Sequence, residues 1–498
     1  MNPIEELLRA GRFDEALAAA ERNVRDAPQD AGAWSAMAAS LFATRRAEPA
    51  LAAWDKALAL APDAPDALCG KGAVLQSLGR MAEAQGLYQR ALVLDPQKFE
   101  AAFGLALLAV EAGDWTAADR WAAPLQARHP DLPNLRWLRA RVALGRGEFA
   151  AAHSQLLALL RDARLGPDQR ADALLLLGEA LEALGRNSEA FEAAVAGKGL
   201  QRRLYAGRAR GREGAVERYA RLAAWFSRAD SQAWADAPTL APAPDAPASH
   251  VFLVGFPRSG TTLLEQALAG HLDVVTLEEA PTLAAAHAEF MGSPEGLERL
   301  SRLTDEAAAE WRAAYWTEVR DQGAEPAGRV FVDKAPAGTV DLPLVAKLFP
   351  AARILFAVRD PRDVVLSCLR NNFQLNAVTY AFTELGEAAA CYAGCMQLAQ
   401  LYRRLLPLAW REVRHETLID DFETELAAIC GFLGLSPDPA MADVAATARS
   451  RAVRTPSAPQ VRAGLNRKGL GRWRAYEREL APIAPVLASW VQALGYDA

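Results

Sequence analysis

Cysteine, histidine and long apolar runs are scarce in this sequence. Among 498 residues there are only five cysteines and six histidines. The cysteines are odd in number and scattered, with no CxxC pair, which argues against a disulfide framework and a zinc site of that type. No run of about 18 apolar residues occurs, so we expect no transmembrane helix. The first residues lack the basic and apolar segments of a signal peptide, and we therefore expect a cytoplasmic protein.

Neither sign of charge is in large excess. The formal net charge is −6, from 55 basic and 61 acidic residues, which offers no broad attraction to nucleic acid or to an anionic membrane. The chain is longer than one typical domain, so at least two domains are expected. No cluster of metal-ligating side chains is visible, and we expect no metal cofactor.

Residues 1–200 contain an internal repeat with a period of 34 residues. The repeat shows in three columns: alanines at 16, 50, 84, 118 and 152, prolines at 28, 62, 96 and 130, and glycines at 11, 79, 113 and 147, with Arg45 in the missing glycine position. A unit of helix, turn, helix and closing proline at this period resembles the tetratricopeptide repeat (TPR). We expect an α-helical TPR solenoid over residues 1–200, because such repeats must stack to bury their apolar faces. Its groove would bind a protein or peptide, or the array would form a homodimer.

The segments that follow predict an extension and a linker. Residues 201–236 continue the helical pattern. Residues 237–249 are rich in proline and alanine, and such a composition favours an extended spacer over a helix. We therefore place a second domain at residues 250–498.

The stretch 251–268 combines a strand, a glycine-containing loop and a helix. Residues 251–254 are an apolar run typical of a buried strand, and apolar positions after 262 follow a helical period. The loop between them reads GFPRSGTT, with the G-x4-G spacing of a phosphate-binding loop. Such a loop directs backbone N–H groups and a helix N-terminus at one point, which predicts an anion site. The lysine of a nucleotide-triphosphate loop is missing, and Arg258 supplies a cation instead.

The sequence FPRSGTT resembles the 5′-phosphosulfate loop of sulfotransferases, which use 3′-phosphoadenosine 5′-phosphosulfate (PAPS). Its arginine makes it most similar to the tyrosylprotein sulfotransferases and to bacterial sulfotransferases that carry repeats. The resemblance implies an α + α/β chain in which the second domain is P-loop-like, with a mostly parallel sheet. It also implies that Arg258 acts in catalysis and that the donor is held by Pro257, Arg258, Ser259, Gly260, Thr261 and Thr262.

Two carboxylates, Glu278 and Glu279, follow the next apolar segment, where a parallel sheet would present ligand-binding groups. A glutamate pair stands here in the tyrosylprotein family, and the resemblance implies that Glu279 is the general base. A third apolar segment ends in Lys334, which the resemblance places beside the leaving phosphate. The structural alternatives are an acidic pair at a helix N-terminus and a surface lysine.

A fourth apolar segment runs into Arg359, and Ser367 follows two helical turns later in RDPRDVVLS. This pattern resembles the sulfotransferase motif for the nucleotide's 3′-phosphate. A bidentate cation and a hydroxyl donor suit that anion.

The C-terminal region carries a last candidate segment, NRKGLGRW, preceded by Ser457. It resembles the sulfotransferase segment that covers the nucleotide. The resemblance implies phosphate contacts from Ser457 and from Arg467, Lys468 or Arg472, among which the sequence does not choose. We interpret His415, in the preceding RHETLIDD segment, as a packing residue.

Together these motifs predict a PAPS-dependent sulfotransferase that sulfates an acceptor hydroxyl and releases 3′,5′-ADP. A protein tyrosine, a glycan, a lipid and a small molecule all remain open as acceptors. One alternative is a P-loop kinase or NTPase, which the missing loop lysine disfavours. The other is a TPR scaffold with a degenerate second domain.

Overall fold

The computed structural model describes residues 3–235, 246–451, 455 and 457–497. Most of the predicted linker, at 237–245, and residue 236 before it lie outside the described residues. The chain divides into two compact units: Met1–Leu165 with Glu179–Leu184, and Gly166–Gly178 with Gly185–Ala498. The domain limits at 200, 236 and 249 stay predictions. None of the helices within the described ranges combines the length and apolarity that a membrane span requires.

The first unit is a series of helices packed in consecutive pairs, as the repeat predicts. Its helices, with α11 extending into the second unit, are α1 Pro3–Arg9, α2 Phe13–Asp26, α3 Ala31–Ala43, α4 Ala47–Leu60, α5 Pro65–Ser77, α6 Met81–Leu94, α7 Phe99–Ala112, α8 Trp115–Arg128, α9 Pro133–Gly145, α10 Phe149–Leu160 and α11 Pro167–Ala183.

The repeat columns have clear structural roles. All five alanines of the alanine column are fully buried, which lets the two helices of a unit approach closely. The glycine column marks the turn inside each pair, where Gly79 has a φ of 78° and Gly113 a φ of 75°. Arg45 takes the same left-handed backbone, with a φ of 62°. The predicted TPR solenoid is confirmed.

The second unit is built on a parallel five-stranded sheet. Its strands are β1 Ser249–Gly255, β2 Val274–Glu278, β3 Val330–Lys334, β4 Arg353–Val358 and β5 Ala409–Arg414, in the order β2-β3-β1-β4-β5. All neighbouring strands are parallel, which confirms the predicted sheet. Their carboxyl ends therefore meet at one edge, where parallel sheets bind ligands.

Helices cover both faces of this sheet. They are α12 Asn187–Ala209, α13 Ala215–Phe226, α14 Gln232–Ala235, α15 Thr261–Ala269, α16 Ala284–Phe290, α17 Pro294–Ser301, α18 Asp305–Asp321, α19 Leu342–Leu348, α20 Pro361–Arg370, α21 Ala377–Ala381, α22 Leu385–Leu405, α23 His415–Asp420, α24 Phe422–Leu433, α25 Val444–Ser450, α26 Ala458–Arg462, α27 Glu477–Leu480 and α28 Ala484–Ala493.

Side-chain alternation along the strands divides the core in two. Phe252 and Phe356 point into a large cluster that also contains Tyr219 and Phe226 of α13. Leu253 and its neighbours on the other face pack against α15 and α24. Both faces are buried, as expected for a parallel sheet, and the strand ends carry the polar side chains.

Candidate active site

The loop between β1 and α15 requires special backbone geometry. A Cβ atom on Gly255 would lie 2.6 Å from the carbonyl oxygen of Ala357, so only glycine lets β4 approach this closely. Gly260, directly before α15, has a φ of 97°. Arg258 has a φ of 76°, an uncommon left-handed value for a residue with a side chain. Such strain is typical of functional sites. The loop conformation directs the first turn of α15 and the side chain of Arg258 toward the carboxyl ends of the strands.

Arg258 is buried and bonded to three neutral side chains. Its Nε donates to the Ser367 Oγ at 2.9 Å, one terminal nitrogen donates to the Ser457 Oγ, and the other donates to the Gln460 Oε1 at 2.9 Å. In the part of the chain that the structure describes, no carboxylate forms an ion pair with it. Burial lowers the pKa of Arg258 to about 10, so the guanidinium stays charged at neutral pH. A buried charge held only by neutral groups favours a bound anion.

Arg359 follows β4 at the same edge of the sheet. One terminal nitrogen donates to the Arg258 carbonyl oxygen at 3.1 Å, and the other donates to the carbonyl of Gly469. The nearest carboxylate oxygen, on Asp363, is 3.7 Å away. The Nε of Arg359 is buried with no hydrogen-bond partner among the described residues. Leaving a charged donor unpaired is costly, so this atom fits an anionic ligand oxygen.

His415 also lies against the loop. A side chain on Gly260 would collide with its Nδ1, a buried atom with no hydrogen-bond partner within the described residues. Burial, together with the charges of Arg359 and Arg258, lowers the pKa of His415 to about 3. The ring is therefore neutral. The sequence favours a packing residue at this position and does not indicate that His415 borders the anion loop.

Lys334, at the end of β3, lies among three carboxylates. Its Nζ is 2.8 Å from Glu279 Oε1, 3.2 Å from Glu278 Oε1 and 3.4 Å from Glu265 Oε2. Burial acts to lower the pKa of Lys334, but the charges of these three carboxylates outweigh it and hold the pKa above its ordinary value. The lysine is therefore a fixed cation at the sheet edge. The predicted Glu279 and Lys334 are brought into direct contact.

Glu279 is the most accessible of these groups. Its side chain is 47% exposed, while that of Lys334 is fully buried. It has a φ of 50°, and its N–H donates to the Lys334 carbonyl oxygen at 2.8 Å. This hydrogen bond holds the backbone of Glu279 in a left-handed turn, and about half of its side chain stays accessible to a second molecule.

The other loop residues are held by local contacts. The Pro257 carbonyl accepts from the Cys368 thiol at 3.6 Å, and the Thr262 hydroxyl contacts that of Thr455 at 3.1 Å. Ser259 and Thr261 are both buried.

The predicted C-terminal residues separate into two groups. Ser457 reaches Arg258, as described above. Arg467 is paired with Asp420 at 2.6 Å, with its side chain 72% exposed, and Lys468 is exposed. Arg472 begins the short 3-10 helix Arg472–Tyr476. Their assignment to the nucleotide stays a prediction.

Sequence reasoning missed several residues of this site. Gln460 binds Arg258, and Glu265 of α15 reaches Lys334. Asp363 accepts from the backbone N–H groups of Gly471 and Trp473 at 2.7 and 2.9 Å, and so fastens the C-terminal segment to α20. The sequence carries no usable signal for Glu265, because it stands beside Gln266 between apolar positions, as on the solvated face of a helix, whereas the structure buries both.

A cavity of about 300 Å³ is lined by residues that directly follow Glu279 and Lys334 along the chain. Its walls come from residues 280–284, directly after Glu279, and from Ala335 and Gly338, after Lys334. Phe252 and Val254 form an apolar part of the lining. Asp333 also lines it, and burial raises the pKa of that carboxyl to about 6.

The repeat unit has a separate groove of about 650 Å³. Its lining combines the aromatic rings of Tyr88, Phe99 and Phe103 with the carboxylates of Asp66 and Glu100. Across the residues that the structure describes, no group of side chains is arranged to hold a metal ion.

Comparison with known proteins agrees with both units. Residues 250–439 match the sulfotransferase family, and stretches between 4 and 198 match the tetratricopeptide repeat. The chain is 28% identical over 270 residues to protein-tyrosine sulfotransferase 1 of Danio rerio, a match that covers 50% of this chain and 72% of the relative. It is 29% identical over 270 residues to protein-tyrosine sulfotransferase 2 of Gallus gallus, covering 50% and 69%.

Two further proteins are similar to this chain. An uncharacterized protein of Aquifex aeolicus is 26% identical over 249 residues, covering 48% of this chain but only 32% of the relative, about a third of its length. A solved sulfotransferase domain from the Synechococcus PCC 7002 olefin synthase matches 53% of this chain and 98% of its own, with 24% identity and a TM-score of 0.34.

Proposed function

Since this chain carries a sulfotransferase-family domain and tetratricopeptide repeats, we propose that it transfers a sulfuryl group from PAPS to an acceptor hydroxyl. The observation that supports this most directly is the pair of buried arginines at the anion loop. Among the described residues, Arg258 has only neutral side-chain partners, and the Nε of Arg359 has no hydrogen-bond partner. Both features favour an anion with several oxygens.

The residues present fit the two anionic ends of PAPS. The left-handed loop and the first turn of α15 offer backbone N–H groups beside Arg258, which suits the 5′-phosphosulfate. Arg359 and Ser367 lie on the β4 side of the loop, and we assign them to the 3′-phosphate. Ser457 would approach the same ligand through its contact with Arg258.

PAPS, when bound, supplies an activated sulfuryl group and leaves as 3′,5′-ADP. Lys334 holds a positive charge where negative charge develops on the leaving phosphate. Glu279, exposed and 2.8 Å from that lysine, takes the proton from the acceptor hydroxyl. Arg258 and the loop N–H groups orient the group that is transferred.

We assign the acceptor to the cavity lined by residues 280–284 and propose a protein tyrosine as its class. Residues that directly follow Glu279 and Lys334 contribute to its walls, and its partly apolar lining suits a phenol ring. The names of the curated relatives, protein-tyrosine sulfotransferases, support the same class.

The repeat array would then present a protein. Its groove pairs aromatic rings with carboxylates, which suits a peptide that carries basic residues. Homodimerisation stays a second proposal for the array. The cysteines are buried and unbridged, in agreement with the cytoplasmic location that we propose.

The first test is calorimetric titration with 3′,5′-ADP and, separately, with ATP and Mg²⁺. We expect 3′,5′-ADP to bind the wild type and to bind Arg359→Met about tenfold to a hundredfold more weakly, because a charge-assisted bond is lost. Arg353→Met is the matched control. Arg353 begins the same strand and also donates to a backbone carbonyl, at 2.8 Å, but at the opposite end of β4.

Each outcome has a distinct meaning. Binding of ATP with Mg²⁺ alone would replace the proposal by a kinase or NTPase. Binding of neither nucleotide would leave the repeat array as the functional half of the chain. Equal weakening in both variants would show that Arg359 acts through stability and not through the ligand.

A further inference from the structure

Lys198, in α12, is a buried lysine that the proposed mechanism does not use. It is the last residue of the final repeat match and lies outside the sulfotransferase match. Its side chain is fully buried, and its Nζ donates to the Asn371 carbonyl oxygen at 2.6 Å and lies 5.4 Å from the center of the Phe373 ring. No carboxylate pairs with it in the described part of the chain.

The contact continues from Lys198 to the anion loop. Asn371 directly follows α20, and its side-chain amide donates to the carbonyl and to the hydroxyl of Ser367, at 2.7 and 3.1 Å. The Ser367 hydroxyl in turn accepts from Arg258. Lys198 therefore holds the residue that orients the serine assigned to the 3′-phosphate.

Lys198 also adds charge to the cations of the loop. Its charge and those of Arg258 and Arg359 all act on the thiol of Cys368, which places the three cations around one buried atom. Both Lys198 and Arg258 are bonded only to neutral groups in the ranges that the structure describes. Buried cations without counter-ions raise the affinity for an anion that comes to rest beside them.

We propose that Lys198 is a positioning residue of the nucleotide site: it fixes the end of α20, so that Ser367 faces the 3′-phosphate, and its charge strengthens binding of that phosphate. The proposal rests on the proposed function, because the 3′-phosphate is assigned there. It makes a helix outside the matched sulfotransferase domain part of the nucleotide site.

The proposal predicts a pH dependence with a definite sign. Burial lowers the pKa of Lys198 to about 8, and the neighbouring Cys368 acts in the opposite direction. The thiol of Cys368, with a pKa of about 12, stays neutral below about pH 9, and the guanidinium of Arg258, with a pKa of about 10, stays charged there. The nucleotide phosphates are ionised above about pH 7. A bound phosphate raises the pKa of Lys198, so affinity is full below pH 8 and weakens by up to about tenfold per unit above it.

The experiment is calorimetric titration of the full chain with 3′,5′-ADP and with 5′-AMP, between about pH 7 and about pH 9. The variants are Lys198→Met and, as matched control, Lys347→Met. Lys347 is also buried, donates to a backbone carbonyl at 2.7 Å and lies 5.1 Å from the center of the Trp234 ring. The thermal midpoint of each variant is recorded alongside.

We expect Lys198→Met to weaken 3′,5′-ADP binding about tenfold at neutral pH, to weaken 5′-AMP binding less, and to remove the decline above pH 8. Lys347→Met should lower the thermal midpoint but keep the affinity and its pH dependence. If Lys198→Met fails to fold, the wild-type profile decides, since a flat affinity up to about pH 9 overturns the proposal. Unchanged affinity in a folded Lys198→Met overturns it as well. Absence of 3′,5′-ADP binding in the wild type is a failure of the proposed function instead.

Discussion

Among single residues, the three carboxylates around Lys334 have different roles. Two of them only stabilise the charge of the lysine, and the third is accessible to a substrate. Two of its carboxylates are constrained, since Glu265 is buried in α15 and Glu278 is the parallel-strand partner of Lys334. Glu279 alone is half exposed. Glu265 and Glu278 therefore stay beside Lys334, while the Glu279 side chain is the one that a second molecule can reach.

This arrangement predicts the outcome of Glu279→Gln. The amide cannot accept the acceptor proton, so we expect turnover to fall about a hundredfold or more, with 3′,5′-ADP affinity near that of the wild type. The measurement is transfer of labelled sulfate from PAPS to a panel of tyrosine peptides and small phenols. Glu278→Gln is the matched control, because it also removes one carboxylate near Lys334. A Glu279→Gln enzyme with wild-type turnover would refute the assignment of the base.

Residues of the site were predictable from the sequence where the signal is local. The loop containing Arg258, and the strand ends at Glu279 and Lys334, follow from short apolar runs that stop at polar residues. The partners of Arg258 do not follow in this way, because Ser457 and Gln460 lie 199 and 202 residues further along the chain. Proximity of that kind is set by the packing of the whole domain, which no local pattern encodes.

At the scale of elements, the turn inside each repeat depends on one left-handed residue. Glycine holds this position in most units, and Arg45 holds it between α3 and α4 with a φ of 62°. A residue with a Cβ pays roughly 1 kcal/mol or more for this backbone, while glycine does not. The gap in the glycine column was visible in the sequence, but its consequence appears only with the backbone angle.

The left-handed backbone angle predicts opposite effects on stability for two substitutions. Arg45→Gly should stabilise its helix pair by about 1 kcal/mol, and Gly79→Arg should destabilise the pair α5 and α6 by a similar amount. Hydrogen exchange of the full chain measures this, because it reports the opening of each helix separately. Faster exchange in α3 and α4 of Arg45→Gly would contradict the strain argument and point to a lost contact of the arginine.

The sequence predicted the types of the secondary-structure elements best, and it did not predict the order of the strands in the sheet. The period of 34 residues identified the helix pairs, because every repeat buries the same positions against its neighbours. The individual strands followed from apolar runs and the parallel sheet from the family resemblance, but the order β2-β3-β1-β4-β5 was not predicted. Order depends on which crossover connections pack best, and that is a property of the assembled core.

At the scale of the whole molecule, the core of the second unit begins well before β1. Tyr219, Leu222 and Phe226 of α13 are buried in the cluster that covers one face of the sheet. The Phe226 ring meets that of Tyr402 at 4.9 Å, edge to face, and Tyr219 packs so closely on Gly394 that a Cβ there would lie 2.9 Å from it. The family match, which starts at residue 250, therefore covers only part of the packed unit.

These contacts predict how two fragments behave. A fragment of residues 250–498 loses the three α13 side chains, each worth about 1.5–3 kcal/mol of burial, a loss comparable to the whole stability of many domains. It should aggregate or unfold. A fragment of residues 166–498 keeps the second unit and should melt cooperatively and bind 3′,5′-ADP. Circular dichroism melts and nucleotide titration of both fragments provide the measurement. A stable, nucleotide-binding 250–498 fragment would show that α12 and α13 are dispensable, and it would support the domain limit predicted from the proline-rich segment.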